Sequence, residues 1–375
     1  MRPSCSLLLI FFSAVAFADD SPYELGGHTK FRLVGQSYPD DSLFRDLFGS
    51  NSLSTAGELR LNFSAKRELW SIHADYQFIA LRSDVLQTGL PIDDSRLFDL
   101  TKTISESDDN AILHRLDRLW VGYTGEKVVA RFGRQALSWG NGLFFAPMDL
   151  VNPFDPTTID TEYKSGDDML YMQYLRDSGD DVQGAVVFRR DPLTGDLESD
   201  EATVALKYHG IAGENEFDVL LAENHDATII GIGGSRSIGG AIWRGDIVYT
   251  DSASDSYVEV VTNLSYSWIW GGKNVSGAVE YYYNGVDRHY VAGSMSVEIS
   301  PLWILTPTLI SNADDPSALF QLVTQYSLSD NMTFLGSLNI PLGSNGTEFG
   351  GADSGIPNRY LSMTVGVFAQ LAWYF

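Results

Sequence analysis

The last sixteen residues, Tyr360 to Phe375 (YLSMTVGVFAQLAWYF), constrain the fold more than any other stretch. At alternate positions Leu361, Met363, Val365, Val367, Ala369, Leu371, Trp373 and Phe375 are all apolar. The intervening set, Tyr360, Ser362, Thr364, Gly366, Phe368, Gln370, Ala372 and Tyr374, is mixed and partly polar. A period of two means a strand with one apolar and one wetter face. Strands of soluble sheets average about 5–6 residues. A longer run ending on an aromatic fits a tilted strand that crosses a membrane and leaves its ring at headgroup level. Such a strand needs an even set of partners, which the rest of the chain must supply.

Alternation predicts them at 28–38, 55–66, 69–81, 112–124, 127–137, 168–176, 181–190, 201–211 and 215–224. It continues at 228–235, 239–250, 256–270, 273–284, 288–300, 302–311, 317–328 and 331–341, and the terminal run closes the set. That makes an all-β, transmembrane antiparallel barrel of about 18 strands, with 16 as the fallback because 228–235 and 302–311 are ambiguous. The pattern is cleanest where Leu59, Leu61, Phe63 and Ala65 alternate with Glu58, Arg60, Asn62 and Ser64. Every second connection is tight, as at Arg67-Glu68, Gly125-Glu126, Gly271-Gly272 and Ser329-Asp330. The others tend to be longer and polar, as at 39–54, 82–111, 138–167, 191–200 and 342–359. Short turns at one end and long loops at the other put both termini on the periplasmic side. Trp70, Tyr123, Trp268 and Trp373 fall at the short-turn ends, and Tyr281 and Tyr283 lie near the opposite end, as two interfacial girdles require. With its final Phe after Trp and alternate apolar residues, the terminal run resembles the closing strand of bacterial outer-membrane β-barrels. That resemblance implies assembly by the barrel-assembly machinery through this strand.

The other end of the chain agrees. Arg2, an apolar run from Leu7 to Val15, and Ala16-Phe17-Ala18 before Asp19-Asp20 read as a secretory signal peptide, residues 1–18, which leaves 19–375 as the barrel. The single cysteine, Cys5, lies inside that signal, so the mature chain has no disulfide, thiolate metal site or cysteine nucleophile. Removing residues 1–18 takes away one cation and no acid, moving the formal net charge from −24 to −25. Nucleic acid is excluded as a partner by that balance. Acids cluster at Asp40-Asp41, Asp93-Asp94, Glu106 to Asp109, Asp177 to Asp181, Asp191 to Glu201 and Asp314-Asp315. They read as solvated loops, or as sites where divalent cations bridge to lipopolysaccharide.

A barrel this wide holds water unless something fills it. The candidate filler is the connection 138–167, SWGNGLFFAPMDLVNPFDPTTIDTEYKSGD, which carries Leu143, Phe144, Phe145, Met148, Leu150, Val151 and Phe154 and is stiffened by Pro147, Pro153 and Pro156. It reads as a loop folded into the lumen, or else as an external cap. Lys30, Arg32, Arg60 and Arg131 lie on the polar parity of their strands, and Arg118 on a more mixed one. Facing lipid would be costly for these cations, so they are expected to face the lumen. The loop supplies Asp149, Asp155, Asp160, Glu162 and Asp167. Basic wall against acidic loop gives either a transverse field that selects solutes or a set of ion pairs pinning the loop.

Catalysis finds no support. His28, His73, His114, His209, His225 and His289 are scattered and none sits in a nucleophile motif. No H-x-x-x-H or Cys pattern supports a metal site, and no cofactor is expected. Gly133-Arg134-Gln135 through Ser138-Trp139-Gly140, Asn152-Pro153 and Glu280 to Gly285 resemble porin families in the style of the alginate-export channels. The resemblance implies a diffusion channel or exporter. The expectation is therefore an outer-membrane channel for passive diffusion of small hydrophilic solutes, in contact with outer-membrane lipid and lipopolysaccharide. The alternatives are a selective facilitator, including export of anionic oligosaccharide, and a sealed structural or adhesive barrel.

Overall fold

The structure is a computed structural model that describes residues 22–86 and 95–375. The expected signal at 1–18 and the Asp93-Asp94 pair lie outside the described residues. In chain order the elements are β1 Tyr23–Ser37, α1 Leu43–Phe48, β2 Asn51–Arg67, β3 Trp70–Ser83, β4 Thr101–Glu106, β5 Asn110–Thr124, β6 Val128–Gln135, β7 Asp167–Leu175, β8 Asp181–Val187, β9 Thr203–Ala212, β10 Asn215–Asn224 and β11 Ala227–Ile238. They continue with β12 Ala241–Asp251, β13 Ser256–Trp270, β14 Lys273–Tyr283, β15 His289–Ser300, β16 Trp303–Asn312, β17 Ser317–Ser329, β18 Met332–Leu342, α2 Glu348–Gly351, β19 Ala352–Asp353, β20 Tyr360–Leu361 and β21 Val365–Tyr374.

Eighteen of these strands form one closed antiparallel wall. Neighbours in sequence pair around it, and β1 pairs with β2 on one edge and β21 on the other, which removes both free edges. All the strands expected from alternation are present, with ends displaced by a few residues. Polarity is inverted relative to a soluble protein. On β1, Leu25 and Phe31 are 54% and 56% exposed on the outside, whereas His28 and Lys30 are 0% and 1% exposed on the inside. Trp70, Trp268, Trp270 and Trp303 stand exposed beside the short turns, an aromatic level at one end of the apolar band.

Three features differ from the sequence expectation. The closing strand spans ten residues, because β1 ends at Ser37 and offers no backbone beyond it; Val365 is the last residue with a partner there. Tyr360–Leu361 instead pairs with Ala352–Asp353 in a small separate sheet. Not all upper connections are long: His225-Asp226 alone joins β10 to β11, and the connections up to β17 stay within five residues. Finally, β4 is a nineteenth member of the sheet. It pairs with the upper half of β5, where β6 has already ended.

Candidate functional site: the lumen

The chain leaves the wall at Gln135 and returns at Asp167. Between these points residues 136–166 cross the barrel, held in turn by inward side chains from most of its circumference. The first half is anchored on the β8–β15 side. Met148 is fully buried in an apolar cluster with Trp139, Ala185, Ala205, Leu220, Ala222, Ile229 and Val248. Two inward glycines make room on this side: a Cβ on Gly231 would stand 3.0 Å from Met148 Cε, and one on Gly233 would collide with the Asp246 carboxylate and crowd Asn141. Asn141 donates from its backbone and side chain to Asp246, both at 2.7 Å. Glu280 accepts the three successive amides of Leu143, Phe144 and Phe145 at 2.6–3.0 Å, while Phe145 stacks on Tyr282 at 4.5 Å. That side of the lumen is thereby filled.

The second half reaches across to the opposite wall. Gln321 Nε2 on β17 donates to the Thr157 carbonyl (2.9 Å), and Tyr374 Oη on β21 to Glu162 (2.9 Å). Lys30 Nζ on β1 lies 2.8 Å from Asp160 and 2.7 Å from Glu162. Arg32 bonds Glu58 at 2.8 Å and approaches Asp160 at 3.6 Å. Arg60 bonds Asp75 and Asp117 at 2.8 and 2.7 Å, and its guanidinium lies 4.0 Å from the centre of the Tyr163 ring. Arg118 bonds Asp117 (2.9 Å) and donates to the Lys164 carbonyl. The local cause is a bulge: Asp75 pairs with Arg118 and Tyr76 with Leu116, which leaves Asp117 as the extra residue. Consecutive Asp117 and Arg118 thus both point inward, which explains the mixed parity of Arg118 in the sequence.

The structure brings together Lys30, Arg32, Arg60, Arg118, Asp160 and Glu162. The other four residues singled out by sequence lie outside this cluster, although Asp155 lines the cavity above it. Arg131 lies nearer the short-turn end, over the Trp120 ring at 5.0 Å. Asp149 serves the loop itself, accepting Lys164 Nζ at 2.6 and 2.7 Å; burial pushes its carboxyl up and the Lys164 ammonium down despite the pairing. Asp155 closes its own turn onto Thr157, 2.7 Å from the amide. Asp167 bonds Arg189 at 2.9 Å. Acids facing the cations therefore come as much from the wall, through Glu58, Asp75 and Asp117, as from the loop. Burial raises the Asp160 carboxyl, but the Lys30 hydrogen bond and charge, the Glu162 amide and Arg32 outweigh it and hold it below the usual aspartate range.

Three cavities follow one another past the loop tip. The uppermost, about 470 Å³, is lined by Arg96, Leu113, Arg115, Asn152, Phe154 and Asp155 among others. It shares Arg115, Thr158, Tyr163 and Ser165 with a second of about 330 Å³, which also meets Arg32, Glu58, Arg60 and Phe368. Ile159 and Asp160 separate that space from a third of about 290 Å³ bounded by Gln325, Thr333, Gln370 and Tyr374, at the short-turn end. Sequence reasoning missed Arg115, Asp117, Asp75 and Tyr163. Glu58, also left out, had a signal, since it shares the parity of Arg60, but Tyr163 had none.

No protein-family model and no curated protein sequence matches the chain, so the likeness to alginate-export channels gains no support from either. Solved structures do match in fold. OccAB4 of Acinetobacter baumannii superposes with a TM-score of 0.58 at 9% identity, covering 95% of this chain and 99% of that one. A BenF-like porin from Pseudomonas fluorescens Pf-5 superposes at 0.56 and 8% identity, covering 96% and 100%. What the chain shares with both, over nearly its whole length, is the fold of a large closed barrel.

Proposed function

We propose that this protein is an outer-membrane channel of the porin type, through which small hydrophilic solutes diffuse passively between the loop tip 157–163 and the wall formed by β17, β18, β21, β1, β2, β3 and β5. The observation that carries this reading is the succession of three cavities past the loop tip from the loop end to the short-turn end, the first two sharing Arg115, Thr158, Tyr163 and Ser165 and the third parted from them by Ile159 and Asp160. A sealed structural barrel would need no such space, and the fold is shared with a protein named as a porin. Secretion through the signal at 1–18 and insertion through the terminal strand belong to the same reading. So does the role of 138–167 as the constricting loop, with Lys30, Arg32, Arg60 and Arg118 facing Asp160 and Glu162.

Solute choice follows from the balance of these charges. Cations and carboxylates alternate within one network, so the constriction carries little net charge and a strong local field, which orients dipolar solutes and discriminates weakly by sign. Export of anionic oligosaccharide is the less favoured reading, because a near-neutral constriction of a few hundred Å³ does not suit a polyanion. The test is single-channel conductance of refolded protein in a planar bilayer. Open-channel current that grows linearly with solute concentration supports diffusion. Saturating flux would identify a facilitator instead, and folded protein passing no current would overturn the channel.

A further inference from the structure

The outer face of the barrel changes character above β6, β7 and β8. These strands are eight, nine and seven residues long. At roughly 3.3 Å per residue and a tilt near 40° they rise only about 18–23 Å, short of the ~25 Å apolar band. Residues 95–101 lie over the gap: Phe98 N–H donates to Asp168 (2.8 Å), Leu116 N–H to Leu100 O (3.0 Å) and Arg190 N–H to Ser95 O (2.6 Å). Register puts Phe132 opposite outward Val121 and Arg134 opposite Leu119, two residues along on the same face. Asp168 pairs with Arg134 in turn. The bidentate Arg134–Asp168 pair, 2.9 Å on each arm, therefore belongs to the lipid side of the wall, buried beneath the 95–101 segment. Phe98 and Phe132 meet edge to face at 6.2 Å just below and stay exposed.

Above these rings opens a cavity of about 320 Å³ lined by Arg96, Phe98, Asp99, Arg134, Arg190 and Gly195 among others. The Arg134 charge is matched by Asp168. Arg190 differs, because its guanidinium donates to the Leu97 carbonyl (3.1 and 3.2 Å) and the Gly195 carbonyl (3.0 Å), and its described partners include no carboxylate. Lys102 adds an exposed cation on the same face, opposite His114, which in turn faces outward Phe78. On a chain of net charge −24, Arg190 is thus a cation with no carboxylate partner among the described residues, set beside lipid-facing aromatics, and Asp99 is the one acid in the same described lining.

We propose that this cavity binds a phosphate group of an anionic lipid in the outer leaflet, with Arg190 as the principal contact and the acyl chains lying on Phe98 and Phe132. The proposal rests on the outer-membrane reading. Planar guanidinium donors suit phosphate oxygens, and headgroup depth is where a lipid phosphate and its chains would present both chemistries together. The site takes the phosphate directly, without the divalent bridge that the acidic loops would need.

The test uses the refolded full barrel in detergent with three probes: bisphosphorylated lipid A, the same lipid freed of phosphate, and inorganic phosphate. Binding is read by native mass spectrometry and by the rise in unfolding temperature. Bisphosphorylated lipid A is expected to bind and stabilise, Arg190→Gln to weaken that binding roughly tenfold, and Arg190→Lys to restore part of it. Equal affinity for the phosphate-free lipid, or unchanged affinity in Arg190→Gln, would overturn the proposal. Inorganic phosphate binding as tightly as the lipid would overturn the assignment to a lipid. Wild-type conductance in phosphatidylcholine bilayers tests the channel separately: a conducting protein that ignores lipid A fails here alone, and a lipid-binding protein that passes no current fails only there.

Discussion

Lys30 on β1 and Asp160 at the loop tip meet at 2.8 Å across 130 residues of chain, and the passage is bounded on one side by that contact. Asp160→Asn keeps the shape of the tip and removes one negative charge from its surface. Lys30 still holds Glu162 at 2.7 Å, so the loop should stay in place. A unit charge a few ångströms from a wet path is worth about 1 kcal/mol or less. The expected outcome is a two- to fivefold rise in anion over cation permeability, roughly, read as the reversal potential across a salt gradient. An unchanged reversal potential would place the ion path elsewhere.

Acidity should act on the same contact late. The Asp160 carboxyl sits below its ordinary range when folded, so its pairing is fully present above that range and is lost only as pH falls through the depressed value. Selectivity is therefore expected to hold steady from neutrality down to about pH 4, the usual aspartate region, and to move toward anions below it. Asp160→Asn should lack that acid component. Reversal potentials collected across the titration in both proteins check this, and an identical pH profile in the two would refute it.

Tyr163 places an aromatic ring between Arg60 at 4.0 Å and Lys30 at 5.4 Å from its centre, with His28 at 5.3 Å. Removing the ring widens the path and frees the arginine face it covers. Tyr163→Ala should raise single-channel conductance and shift selectivity toward anions, while Tyr163→Phe, which keeps the ring and loses only the hydroxyl, should leave both near wild type. The cation–π contacts are worth about 0.5–2 kcal/mol together with their burial, so the barrel itself should remain as heat-stable as before. Equal conductance in Tyr163→Ala would show that the tip does not limit the current.

The wall was legible because alternation of period two persists over eighteen strands and the turns at one end are uniformly tight. The closing strand was overestimated because sequence periodicity cannot show that its partner stops at Ser37. Thr101–Glu106 (TKTISE) was missed because it is short and polar, and its place in the sheet exists only because β6 stops early. In the lumen, the parity of Lys30, Arg32 and Arg60 could be read from the chain. The paired inward turn of Asp117 and Arg118 could not, because a single bulged residue inverts the parity on one side of it. Likewise Asp149 looked like an acid facing the basic wall, yet Lys164, fifteen residues on, takes it up locally.

Glu280 holds the filled side of the lumen in place. Its two oxygens accept the amides of Leu143, Phe144 and Phe145 and the side-chain amide of Asn263. Glu280→Ala would leave these buried donors without an acceptor, at about 1–3 kcal/mol for each that water does not reach. Glu280→Gln retains one carbonyl oxygen and should lose less. Since these bonds fix the loop and not the hydrogen-bonded wall, the expected effect of Glu280→Ala is larger and noisier single-channel current, together with faster protease cleavage between 136 and 166. The folded barrel should still migrate as a compact, heat-modifiable band on electrophoresis. Quiet wild-type conductance with wild-type cleavage in Glu280→Ala would mean that Met148 and its apolar cluster hold this half of the loop without help from the carboxylate.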